Sequence, residues 1–221
     1  MGRGGGDHQL RNRHPNVAST RSGVPQGVRF VSVESTDHQA SEVEILVSSQ
    51  ESTARIAHAL AGNLRSGDLV ILTGELGAGK TTFTRALGEG LGVRGNVISP
   101  TFVLSRIHPN DPEGSRPGGP DLVHVDAYRL GSPEEVDDLD LEYSMDRSVT
   151  VIEWGAGLVE HLSESRIEIV LERSLGDDAP VIQGDEEDTE PRRMTIQFVG
   201  PRWRVDEVTN LRRKLCNASE G

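Results

Sequence analysis

Eight consecutive residues, Gly74-Glu75-Leu76-Gly77-Ala78-Gly79-Lys80-Thr81, constrain this chain more than any other feature. They match G-x-x-x-x-G-K-[ST] in full. The context is also right. Residues 69–73 (LVILT) form an aliphatic run without polar alternation, which suits a strand buried on both faces. A helical pattern follows to about residue 91. Strand, glycine-rich turn and helix together make a phosphate loop. Its glycines let successive N–H groups turn inward on an anion, and the helix N-terminus adds its dipole. Lys80 is then placed to reach the β- and γ-phosphates of a nucleotide, and the Thr81 hydroxyl to meet Mg²⁺. The nucleotide-binding residues are Glu75, Leu76, Gly77, Ala78, Gly79, Lys80, Thr81 and Thr82.

Composition narrows the remaining classes. The net charge is −12, and Lys80 and Lys214 are the only lysines among 23 basic residues. One of the two therefore sits where a compact ammonium is the usual phosphate ligand. So acidic a chain is a poor candidate for gripping DNA or RNA backbones directly. The single cysteine, Cys216, excludes an internal disulfide framework and a cysteine-cluster metal site. The longest purely aliphatic run, residues 69–72, is far short of the roughly 20 residues of a membrane helix. The expected compartment is the cytoplasm, with no membrane partner.

Hydrophobic content is low, at 34%, so part of the chain is expected to stay unfolded. Residues 1–41 read as a disordered tail and 217–221 as a disordered C-terminus. Residues 42–216 read as one domain with flexible loops at 108–120 and 174–193. Strands are expected at 43–47, 69–73, 103–107, 122–125, 150–152, 166–171 and 194–199. Helices are expected at 50–65, from the phosphate loop to 91, from Ser132, at 158–162 and at 205–215. Ser132-Pro133-Glu134-Glu135 has the composition of a capping box with proline at the first helical position. This order predicts an α/β fold: a single P-loop NTPase domain with a central, mostly parallel sheet flanked by helices.

A phosphate-loop protein needs a further acid to hold Mg²⁺ or orient the attacking group. Residues 122–126 (LVHVD) and 149–153 (VTVIE) are apolar strands ending in Asp126 and Glu153. Both acids would emerge at the carboxyl edge of a parallel sheet, where such folds bind ligands. Sequence does not say which touches the metal. Thr101, in Ser99-Pro100-Thr101-Phe102, follows a proline-stiffened turn, the place of a γ-phosphate sensor or of an ordinary turn into a strand. Tyr128 and Trp154 flank the two acids, and aromatics there are more often core than recognition surface. His124, inside its strand, reads as packed and hydrogen-bonded rather than as a base.

Taken together, residues 74–82 (GELGAGKTT), 99–102 (SPTF), 124–130 (HVDAYRL) and 152–154 (IEW) resemble the TsaE family in order and approximate spacing. The resemblance covers about residues 42–173 and the strand at 194–199. It implies a small P-loop fold, Mg²⁺-ATP binding and slow, partner-dependent hydrolysis. It also implies work with TsaB and TsaD in making N6-threonylcarbamoyladenosine at position 37 of tRNAs reading ANN codons. Contact with tRNA would be indirect. Carried over residue by residue, it makes Lys80, Thr101, Asp126 and Glu153 catalytic. Thr81 and Glu153 lie on or beside Mg²⁺, and Asp126 positions water. The reverse assignment of the two acids stays open. Tyr128, Arg129 and Trp154 are partner or switch residues. The segment 52–55 is implied near the adenine. The chain departs from the family in having no aromatic residue at 103–109, and Gly155-Ala156 where an acid often follows IEW.

Two other classes fit the phosphate loop. A small kinase acting on a metabolite or nucleoside would use extra arginines such as Arg106 and Arg129, but no acceptor motif is evident. A binding module with hydrolysis as a timer overlaps the first reading. Residues 134–147 carry seven acids against one arginine directly after the HVDAYRL segment. That favours a protein partner over direct contact with tRNA.

Overall fold

The computed structural model describes residues 28–31, 41–100, 103–173 and 191–220. In chain order the elements are β1 (Val28–Val31), β2 (Ser41–Val47), α1 (Gln50–Ala61), β3 (Leu69–Gly74) and α2 (Lys80–Leu91). Then come β4 (Ser105–His108), β5 (Asp121–Asp126), α3 (Pro133–Asp137), α4 (Glu142–Met145) and β6 (Ser148–Glu153). The chain closes with β7 (Arg166–Arg173), β8 (Arg192–Val199) and α5 (Val205–Glu220). They build one α/β sheet in the order β1-β2-β8-β7-β3-β6-β5-β4. The centre, β7-β3-β6-β5, is parallel, and the margins are antiparallel.

β3 lacks alternation because both of its faces are covered. Val70 and Leu72 join a core with Ile56 and Leu60 of α1, Phe83 and Leu87 of α2, and Leu211 and Leu215 of α5. Leu69 and Ile71 point the other way, into a smaller core with Val123, Val136, Leu141 and Ile152. Side chains alternate across a strand, so one aliphatic run feeds two layers. Gly90 allows α2 to lie close on α1, since a Cβ there would come within 2.7 Å of the Ala61 Cβ.

Several boundaries differ from the sequence reading. Residues 28–31, in the stretch read as tail, pair antiparallel with β2, whereas 1–27 and 32–40 lie outside the described residues. α5 continues through residues 217–220. A 3₁₀ turn, Glu160–Leu162, stands where a short helix is expected. Ser132 caps α3 by backbone conformation only, and Glu135 accepts at 2.9 Å from the N–H of Gly131, one residue before the N-cap, so the expected capping box does not close. The segment 108–120 is fastened to the helices. Asn110 donates to the carbonyls of Leu91 and Gly92, and Arg116 to those of Ala61 and Leu64. Most of the acidic stretch 174–193 lies outside the described residues.

Strand direction determines what meets at the site. β2, β7, β3, β6 and β5 run the same way, so Val47, Arg173, Gly74, Glu153 and Asp126 finish at one edge. β8 runs oppositely and begins at that edge with Arg192. α1 also starts there, because Ser49 follows β2 and accepts the Ser52 N–H as N-cap.

Candidate active site

The loop between β3 and α2 has the backbone its glycines allow. Gly74, Gly77 and Gly79 all have positive φ, at 150°, 78° and 103°. A Cβ on Gly74 would collide with the Leu171 carbonyl, so the loop leaves the sheet against β7 with no room for a side chain. Gly79 is the left-handed N-cap of α2 and no side chain caps the helix. The amides of its first turn therefore remain available to an anion.

Lys80 is buried, and its Nζ donates to the carbonyls of Gly74 and Glu75 at 2.8 and 2.9 Å. The ammonium also lies 3.7 Å from the centroid of the Trp154 ring, a cation–π contact. Burial pushes Lys80 below the usual lysine range, and the charges of Glu153 and then Asp126 partly restore it. Trp154 holds a left-handed backbone, φ 64°, that a bulky residue adopts only under constraint. The constraint is visible: its N–H donates to the Leu72 carbonyl, and its ring meets Tyr128 edge-on at 5.4 Å. Trp154 thus faces Lys80 rather than the core, while Tyr128 and Arg129 are exposed.

Glu153 is 3% exposed, and three side chains hold it. Oε2 accepts from the Thr81 hydroxyl at 3.1 Å. Oε1 lies 2.8 Å from His124 Nε2 and 3.4 Å from Thr84 Oγ1. The single Thr84 hydroxyl proton is shared between that carboxylate and the nearer Lys80 carbonyl, at 3.0 Å. His124 is fully buried, and its Nδ1 has no partner among the described residues. A proton on Nε2, donated to the carboxylate, leaves only an acceptor unsatisfied. His124 is therefore a support for Glu153, as its position within the strand suggests. Thr84 is missing from the sequence reading. The available signal was its spacing, three residues from Thr81 on one helix face.

Asp126 is directly opposite Glu153 in the β5–β6 register but only half-buried. Its backbone N–H donates to the Leu104 carbonyl, and its carboxylate caps the Tyr128 N–H at 3.3 Å. Thr101 and Phe102 lie outside the described residues. Ser52 and Arg55, in the segment implied near the adenine, are near the start of α1 at the same sheet edge; Arg55 donates to Ser52 Oγ and to the Ala218 carbonyl.

The donor set fits Mg²⁺-nucleotide. Thr81 and Glu153 supply one hydroxyl and one carboxylate in contact, and Mg²⁺ sites of this kind are completed by phosphate oxygens and water. A cleft of about 630 Å³, within the range of ligand pockets, opens beside the loop, lined by Gly74, Glu75, Trp154, Leu171, Arg173 and Arg193.

Comparison with known proteins gives the family. The family model described as threonylcarbamoyl adenosine biosynthesis protein TsaE matches residues 47–179. The tRNA threonylcarbamoyladenosine biosynthesis protein TsaE of Streptomyces coelicolor is 53% identical over 153 residues, covering 69% of this chain and 94% of that protein. The protein of that name from Bacillus subtilis is 38% identical over 156 residues, covering 70% and 85%. The crystal structure of Bacillus subtilis YdiB superposes with a TM-score of 0.56 at 29% identity, covering 80% of this chain and 98% of YdiB. With the phosphate loop, the two strand-end acids and the tryptophan all assembled at one sheet edge, the chain belongs to the TsaE family.

Proposed function

We propose that this protein is a Mg²⁺-dependent ATPase that serves tRNA threonylcarbamoyladenosine biosynthesis. Its hydrolysis supports the TsaB–TsaD complex that modifies position 37 of tRNAs reading ANN codons. The observation that carries the reading is the contact between Thr81 and Glu153 at the end of a glycine-rich loop whose lysine is held on the loop's own carbonyls. Family membership and the relatives' names support the pathway.

Each residue has a defined task. The amides of the loop and of the first turn of α2 bind phosphate oxygens. Lys80 leaves the Gly74 and Glu75 carbonyls to neutralise phosphate charge. Thr81 and Glu153 hold the metal or its waters, and His124 and Thr84 fix the carboxylate that does so. Asp126, more open, orients water at the same edge. Bound Mg²⁺ supplies charge neutralisation on the transferring phosphoryl group. Tyr128, Arg129 and the acidic stretch after β5 form the partner-facing side, and tRNA contact is indirect. The cytoplasm is the proposed compartment, and no helix among the described residues is long and apolar enough to cross a membrane.

The test is reconstitution. Phosphate release from Mg²⁺-ATP should rise when TsaB and TsaD are added, and multiple-turnover tRNA modification should require this protein. Lys80→Ala should abolish release. Wild-type turnover in that variant, or modification indifferent to the protein, would refute the proposal.

A further inference from the structure

Two arginines at the phosphate loop have no place in the sequence reading. Arg173 ends β7 and Arg192 begins β8, and the two are directly opposite in the antiparallel register. Each reaches toward the loop. A Cβ built on Gly77 would lie 2.9 Å from Arg173 Nη2, and one on Gly79 would lie 3.9 Å from Arg192 Nη1. So both guanidinium groups stand over the two glycines that flank Ala78.

Three features among the described residues suit this charge to an incoming anion. Like charges directly opposite on a sheet are destabilising, so the pair is not there to strengthen β7–β8. Neither side chain forms an ion pair with a carboxylate among the described residues, although the neighbouring Arg193 does, with Glu44 at 3.5 Å. And Arg192 Nε is buried without a hydrogen-bond partner among the described residues. A buried guanidinium donor left unpaired is costly unless a ligand satisfies it. The cleft next to the loop, which Arg173 lines, gives an anion room to enter.

We propose that Arg173 and Arg192 bind the phosphate chain of the nucleotide from the β7–β8 side of β3, across the loop from Glu153. Glu153 and Thr81 serve the metal side, and the two arginines serve the bare-oxygen side. Guanidinium suits this because its donor fork matches two phosphate oxygens at once. The ligand class is a nucleoside di- or triphosphate, discriminated by the number of phosphates rather than by the base. This rests on the nucleotide reading of the site above.

The test is equilibrium binding of Mg²⁺-ATP, Mg²⁺-ADP and AMP to the full chain by calorimetry, for wild type, Arg173→Gln, Arg192→Gln and Lys80→Ala. Thermal unfolding without nucleotide checks that the variants fold. Arg192→Lys, which keeps the charge but not the fork, provides a gentler version if Arg192→Gln unfolds. Each arginine variant should lose ATP affinity roughly tenfold, the size of a charge-assisted hydrogen bond, with little change for AMP. The salt dependence of ATP binding should flatten in both. If wild type binds ATP, Lys80→Ala weakens it and both arginine variants stay within twofold of wild type, the arginine inference alone is overturned. If wild type binds no nucleotide, the ATPase reading falls and this inference with it. An equal loss for AMP and ATP would overturn the phosphate assignment and place the arginines at the nucleoside.

Discussion

Asp126 and Glu153 end neighbouring parallel strands in the same register, yet they inhabit different surroundings. Glu153 is buried and held by Thr81, Thr84 and His124. Asp126 is half-buried and holds one backbone N–H of the following turn. The difference comes from the chain around them. β6 lies beside β3 with α2 over its end, whereas β5 is next to the sheet's last strand and is followed at once by an exposed turn. The same chemistry at equal depth in two strands thus becomes a buried, preorganised acid in one case and an open, water-accessible one in the other. Preorganised groups lose little by reorienting during reaction, which is the larger catalytic effect.

The sharpest way to break this comparison is to remove Glu153. Glu153→Ala should reduce Mg²⁺-dependent phosphate release on the order of 10²–10³-fold, as when one preorganised group is lost from a charge-stabilising site. It should also cost about 2 kcal/mol in denaturant unfolding, because Thr81, Thr84 and His124 lose their shared partner. A variant whose Mg²⁺ dependence is unchanged would move the metal role to Asp126.

Asp126→Asn should act on turnover alone. Release falls on the order of tenfold to a hundredfold through loss of a general base or water-orienting group. Unfolding free energy stays within about 0.5 kcal/mol of wild type, since the side chain is partly solvated and Asn still accepts the Tyr128 N–H. Destabilisation equal to that of Glu153→Ala would show that the two acids are not as different as their surroundings.

His124→Phe sharpens the same contrast more gently. It removes the 2.8 Å contact to Glu153 while filling the buried space. Roughly 1–2 kcal/mol of stability should go, as for a charge-assisted hydrogen bond. The Mg²⁺ concentration for half-maximal release should rise severalfold while ATP affinity without metal stays level. If ATP affinity falls and the Mg²⁺ requirement does not, His124 supports the loop rather than Glu153.

This contrast is not legible in the sequence, for a physical reason. Strand and loop were legible because the aliphatic run 69–72 and the glycines leave few alternatives, and the run's two-sided burial appears as expected. The strand-end position of both acids was legible from chain order. Their relative burial was not, because it depends on which strand lies beside β3, and that is a long-range pairing. Thr84 was hidden because a threonine inside a helix looks like any other. Arg192 was hidden because it borders an acidic stretch and reads as part of it, and only the β7–β8 register brings it to Arg173. Trp154 had two readings in sequence, core or site, and its backbone turn decides for Lys80.

The smallest expected effect is a shift in pH dependence, and it measures both acids with one probe. Burial lowers the Lys80 pKa, and Glu153 offsets this more than Asp126 does. ATP binding needs the charged ammonium, so affinity should fall with rising pH through a point below the ordinary lysine value of 10.5. Removing a nearby negative charge lowers that point further. Glu153→Gln should therefore move the alkaline loss of ATP binding to lower pH, and Asp126→Asn should move it in the same direction by less. Stability without nucleotide follows the opposite limb. Between the folded and unfolded pKa of Lys80 the unfolded chain binds more protons, so stability rises with pH in that window. Lys80→Met should remove that rise from unfolding curves measured below and near pH 10.5. If the two acid variants shift the binding curve equally, charge reaches Lys80 from both strand ends alike, and the burial of Glu153 gives it no electrostatic advantage over Asp126.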